Sequence, residues 1–96
     1  MNSYYVYILT NSTKKVLYLG VTNNLSRRIS EHYDDSKNSK KTFAGKYNCV
    51  YLIFYEKFTD IKEAIAREKE IKKWRREKKE NLINGFNPNW DFISVL

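Results

Sequence analysis

From Thr59 to Trp74 the apolar residues Ile61, Ala64, Ile65 and Ile71 recur at the spacing of one helical face. At ~100° per residue that stripe centres on position 68, and position 68 is Glu. A carboxylate in an apolar setting is costly unless a cation or a metal compensates. The chain must therefore bury one side of a long helix and still give Glu68 something to face: a cation, a metal or a cleft. Lys72, one turn later on the same face, could supply an ordinary ion pair. On this residue alone, ion pair and metal site are equal alternatives.

The rest of the chain supplies a sheet for that helix. Tyr4 to Thr10 alternates and is rich in β-formers, and Val16 to Val21 repeats the pattern after the polar loop Asn11–Lys15. The two read as a hairpin with one of the longer loops. A helix capped near Asn23 or Asn24 and running to about Tyr33 follows. Asp34 to Asn48 is polar and lysine-bearing and reads as an exposed loop with room for one turn of helix. Cys49 to Phe58 is a third strand, apolar on both faces at its centre and so expected inside the sheet. The long helix opens with Asp60 and Glu63 at capping-box-like spacing. A shorter helix, about Glu77 to Ile83, is expected to end at Asn84-Gly85, before a turn at Asn87-Pro88. Trp90, Phe92, Ile93 and Val95 should pack the tail on the core. The order β-β-α-β-α-α implies an α+β fold: a small three-stranded antiparallel sheet flanked by helices. Its 96 residues suit one domain spanning 1–96.

Composition narrows the function. With 42% hydrophobic and 16% aromatic residues, the chain can build a core. No apolar run approaches the ~18 residues of a membrane span and no signal-peptide pattern opens the chain, so the cytoplasm is the expected location. One Cys and one His cannot build a zinc cage, so any metal should be a hard cation held by oxygens. Cys49 reads as a small buried hydrophobe. The net charge of +7, from 18 basic and 11 acidic side chains, favours a polyanionic partner.

Strand alternation puts Tyr5 and Tyr7 on one face of the first strand, and Tyr18 and Gly20 on one face of the second. Val6, Ile8, Leu17, Leu19 and Val21 form the apolar faces. The other face then presents phenols beside a glycine, which should leave room for a ligand. In the first helix, Leu25 and Ile29 define the buried stripe, and phase places Arg28 and His32 on that side with Arg27 and Glu31 pointing away. Each residue alone has an ordinary explanation: tyrosines suit strands, an Arg can lay its stem over a core, and a histidine can be satisfied inside it. Together, two phenols, an Arg, a His and a Glu are the groups a metal-assisted phosphodiesterase needs. A phenol could act as base if nearby cations lowered its pKa from ~10.

Tyr5-Val6-Tyr7, ten residues, then Tyr18-Leu19-Gly20 resembles the paired triads of the GIY-YIG nuclease family. Gly20 to Arg28 is similar to the segment after the second triad, with Arg28 at the family's Arg and His32 where the family often carries His or Tyr. Ala66-Arg67-Glu68-Lys69 resembles the segment carrying the family's metal-binding Glu. The likeness spans roughly Tyr4 to Leu82, and Asn87-Pro88-Asn89-Trp90 is similar to the tail of small standalone bacterial members. The chain is also similar to the N-terminal domain of the bacterial excision-repair incision subunit. It departs in starting the first triad with Tyr5 rather than Gly, and in placing Leu19 for Ile. The family's late Asn has three candidates, Asn81, Asn84 and Asn87, and none is singled out.

The resemblance implies Mg²⁺- or Mn²⁺-dependent endonuclease-type hydrolysis of DNA phosphodiesters, in repair or recombination; RNA as the nucleic acid is left open. It implies that Tyr7 or Tyr18 activates water, that Arg28 holds the phosphate, that Glu68 holds the metal, and that His32 assists or replaces the base. Lys69, Lys72, Lys73, Arg75 and Arg76, around Trp74, read either as a solvated, ion-paired helix or as a phosphate-tracking surface. The loop with Lys37, Lys40 and Lys41 would form its other wall, and Gly20, which leaves room beside the phenols, is grouped with these nucleic-acid-binding residues. The rival function is a non-catalytic nucleic-acid-binding module of the same fold. A helper protein or a dimer is left open.

Overall fold

The computed structural model describes residues 2–37 and 47–95. Strands β1 (Tyr4–Thr10) and β2 (Leu17–Thr22) precede helix α1 (Leu25–Lys37). Strand β3 (Tyr51–Phe58) and helices α2 (Ile61–Lys72) and α3 (Arg76–Phe86) follow. The element order is the expected one. Lys40 and Lys41 lie outside the described residues.

Local chemistry sets the boundaries. The Asn11 side-chain oxygen accepts from the backbone N–H groups of Lys15 and Val16, which closes the hairpin loop and leaves Lys14 in the left-handed region at φ 61°. Asn24 caps α1, its side-chain oxygen accepting from Arg27 N at 3.0 Å. The helix then runs to Lys37, past the expected stop near Tyr33. Asp60 caps α2 by accepting from Lys62 N at 2.9 Å.

The antiparallel sheet has the order β2-β1-β3, so β3 is an edge strand and β1 the central one. This corrects the expected internal position of the third strand. Its doubly apolar centre has two other causes. Ile8 pairs with Phe54 and Leu9 with Leu52, which leaves Ile53 as an extra residue in a bulge. Both faces of the sheet are also covered. Val6, Ile8, Leu19, Ile53 and Phe54 pack with Ala64, Ile71 and Ile83 of α2 and α3. Tyr7, Leu9 and Leu52 pack with Leu25 and Cys49, against which Ile29 and the tail residues Ile93 and Val95 rest. Burial pushes the Cys49 thiol up to about 11, as expected of a cysteine inside a core.

Two further expectations are corrected. Gly85 does not end the last helix, which continues to Phe86, and Gly85 takes no positive φ. Asn87 makes the stop, its side-chain amide donating to Ile53 O and Asp91 O while its oxygen accepts from Asp91 N. In α2, Ile61 and Ile65 are 38% and 40% exposed, whereas Ala64 and Ile71 are fully buried. The buried face is thus rotated about 50° from the expected stripe. Arg67 explains the rotation. It faces inward, bonding Glu56 of β3 at 2.9 Å and lying 5.3 Å from the Trp74 ring centroid.

Candidate active site

The site is built on the hairpin face that carries tyrosines. Tyr7 on β1 pairs in register with Gly20 on β2. A Cβ at Gly20 would lie 2.3 Å from the Tyr7 hydroxyl, so only glycine lets the ring lie across β2. The space over Gly20, expected to receive a ligand, is filled by Tyr7. Gly20 is itself buried and offers nucleic acid no surface.

Three side chains meet at the Tyr7 oxygen. His32 Nε2 is 3.1 Å away and Arg28 Nε, donating to it, 3.4 Å. Arg28 has no acceptor, and the phenol has one proton and two lone pairs. The arrangement that satisfies all three groups has Tyr7 accepting from Arg28 and donating to a neutral His32. Burial, then the Arg28 charge, lowers the His32 pKa and favours that neutral form. Burial pushes the Tyr7 phenol up to about 12, with the Arg28 hydrogen bond only partly opposing it. The expectation that cations would lower this phenol's pKa is therefore corrected for Tyr7, which is only 1% exposed. Tyr18, half-buried, sets its ring edge-on to His32 with centroids 5.1 Å apart. Arg28 also pairs with Glu31 at 3.1 Å, and the Tyr7 hydrogen bond raises its already high pKa.

Glu68, on α2, has a partner of its own. Its side chain is 15% exposed and paired with Lys72 at 3.1 Å. It occupies the boundary between the buried face of α2 and the exposed flank of Ile61 and Ile65. Ile61 lines a depression of about 320 Å³ together with Arg28, Asn23 and Thr22. Glu68 lies two turns along α2 from Ile61, roughly 10 Å at 1.5 Å per residue. Among the described residues, no three His, Cys, Asp or Glu side chains converge on a ready-made cage. Mg²⁺ needs none, because it binds through one or two carboxylates and keeps several waters. Glu68 fits such a donor once Lys72 releases it.

Residues 3–81 match the model of the GIY-YIG catalytic domain. The chain belongs to the GIY-YIG family. It is 39% identical over 80 residues to a UPF0213 protein of Natronomonas pharaonis, covering 83% of this chain and 89% of that one. A UPF0213 protein of Haloquadratum walsbyi is 40% identical over 83 residues, with 85% and 89% covered. The solution NMR structure of a UPF0213 protein from Bacillus halodurans superposes with a TM-score of 0.52 at 34% identity, covering 85% of this chain and 83% of that one.

In this GIY-YIG domain the candidate late asparagines are largely occupied. Asn87 forms the turn described above, and Asn84 accepts from Trp90 Nε1 at 2.6 Å. Asn81 is exposed in a shallow depression with Arg75 and Lys78. Lys37, Lys69, Lys72, Lys73 and Arg75 are exposed. Arg76 is committed elsewhere, donating to the backbone oxygens of Lys14 and Lys15 and bonding Glu80. It ties α3 to the hairpin loop, a contact 61 residues apart that no local pattern signals. The Arg67–Glu56 pair was equally hidden, because an inward Arg counts as polar in any periodicity.

Proposed function

We propose that this GIY-YIG domain is a divalent-metal-dependent endonuclease acting on DNA phosphodiesters, in repair or recombination, with Mg²⁺ or Mn²⁺ as its cofactor. The observation that carries the reading is the meeting of Arg28 and His32 on the Tyr7 oxygen, within the segment that matches the family model. A packing arrangement alone has no need to hold a guanidinium beside two phenols at the mouth of a depression.

The division of labour follows from exposure and charge. Arg28, partly exposed and always protonated, neutralises phosphate oxygens as negative charge builds on them. Tyr7 is the positioning residue, fixing Arg28 Nε and His32 Nε2. Tyr18, the phenol with access to solvent, gives its own proton to solvent and as the phenolate takes the proton of the attacking water, and His32 beside its ring is the group placed to assist. Glu68 would hold the metal, which when bound would supply neutralisation of the phosphate and its leaving oxygen. Exposed Lys69, Lys73 and Arg75 would track the backbone.

The Glu68–Lys72 and Arg28–Glu31 pairs favour the rival reading, a binding module whose inherited site is sealed by ion pairs. Incubation with labelled single-stranded, duplex and branched DNA in Mg²⁺, Mn²⁺ or EDTA separates the two. Cleavage that needs the metal and disappears in Glu68→Ala is the expected result. Bound but uncut DNA under every metal condition would establish the binding module instead.

A further inference from the structure

A second surface lies around α1 from the Arg28 and His32 side. Ser26, Ile29, Ser30, Tyr33 and Lys37 form a stripe at helical spacing, one residue on and so about 100° around the helix from Arg28 and His32. Its members Ser26, Ile29, Ser30 and Tyr33 wall a trough of about 270 Å³ whose other side includes Tyr51 and the tail residue Phe92. A neighbouring depression of about 220 Å³ shares Tyr33, Val50 and Tyr51 and carries the trough on to Lys37.

The trough is aromatic and cationic at once. Tyr33 and Phe92 are 49% and 45% exposed. Tyr51 and Phe92 stack face to face, with centroids 4.2 Å apart and planes 14° from parallel. Lys14 Nζ sits 5.3 Å from the Phe92 centroid and Lys37 Nζ 5.5 Å from that of Tyr33. Among the described residues no Asp or Glu lines either depression. Large rings left in water beside lysines are the elements of a single-strand stacking platform; exposed Asp34 and Asp91 adjoin Tyr33 and Phe92 in the chain but line neither depression. A duplex offers such rings nothing, since its bases are already stacked. A protein strand is disfavoured at this edge of the sheet, because Leu52 O already accepts from Ile93 N at 2.8 Å.

We infer that Tyr33, Tyr51 and Phe92, flanked by Lys14 and Lys37, form a platform on which the unpaired bases of a single strand stack. The inference rests on the nucleic-acid reading above and deepens it: the strand that this surface takes is one whose bases are unpaired.

Fluorescence anisotropy in EDTA tests it without any cleavage, using a labelled oligothymidylate, an abasic phosphodeoxyribose strand of equal length and a duplex. The wild type should bind oligothymidylate more tightly than the abasic strand. Phe92→Ala and Tyr33→Ala should each weaken oligothymidylate binding about five- to hundredfold, the effect of losing one base–ring stack. Binding of the abasic strand should not change. Phe92→Trp should retain affinity, whereas Phe92→Leu, which keeps apolar area but loses the ring, should not. Equal affinity for oligothymidylate and abasic strand, or Phe92→Leu binding as wild type, would overturn the platform and leave the surface to a protein partner or a second copy of this chain. Metal-dependent cleavage would survive that outcome, and base-dependent binding would survive failure of the nuclease reading.

Discussion

Tyr7→Phe removes one oxygen and strands two partners. Buried His32 Nε2 loses its donor and Arg28 Nε its acceptor, so the change should cost about 1–3 kcal/mol in urea denaturation. In single-turnover cleavage it should slow the reaction, whereas Tyr18→Phe should abolish it; the reverse order would make Tyr7 the base. Gly20→Ala forces a methyl against the Tyr7 ring, so stability should fall by about 1–3 kcal/mol or more. The double variant Gly20→Ala/Tyr7→Leu should recover part of that loss, a non-additivity expected of touching residues. His32 carries a pH dependence. Its folded pKa lies below the unfolded value of ~6.5, so the unfolded chain takes the proton first. The stability it contributes is fully present above about pH 6.5 and is lost as pH falls through the lower folded pKa. The wild type should therefore lose more stability than His32→Gln between neutral and mildly acidic pH; parallel losses would contradict a buried neutral histidine.

The helices and strands were legible where local chemistry makes them, and not where distant chain decides. Alternation sorted Tyr7 and Gly20 from Val6 and Ile8 correctly, because a pleated strand has only two sides. Helical phase put Arg28 and His32 on the Tyr7 side, but Arg27 and Glu31, expected to point away, line the same depression as Arg28, and Glu31 pairs with it. The α2 stripe misled by about 50° because hydrophobicity locates apolar side chains, not the core; Glu56, which draws Arg67 inward, is eleven residues away. The bulge at Ile53 gave no signal, and it made an edge strand look internal. Asp60, by contrast, was readable from its position. Asp60→Ala should cost about 1 kcal/mol of stability in thermal or urea unfolding through loss of the Lys62 N–H acceptor, and no change would remove the cap from the account.

For the whole molecule, a charge of +7 sets the terms of association. Duplex binding should weaken linearly in log[salt], and neutralising Lys69, Lys73 and Arg75 together should flatten that slope by about 2.7, at about 0.9 for each phosphate that then keeps its counterions. Arg76→Gln should instead loosen the hairpin loop and lower stability, since its guanidinium is already spent on backbone oxygens. The charge and the separate motifs could be read along the chain. The Glu68–Lys72 pair, one helical turn apart, was one of the two alternatives the sequence offered for that residue, whereas the meeting of α1 with the hairpin depends on the assembled fold. The most direct test of the whole is single-turnover cleavage of a labelled branched DNA in Mn²⁺, protein in excess, comparing wild type with Glu68→Gln at matched DNA occupancy. Strand scission by the wild type and none by the variant is the predicted result. Equal rates for the two would contradict it.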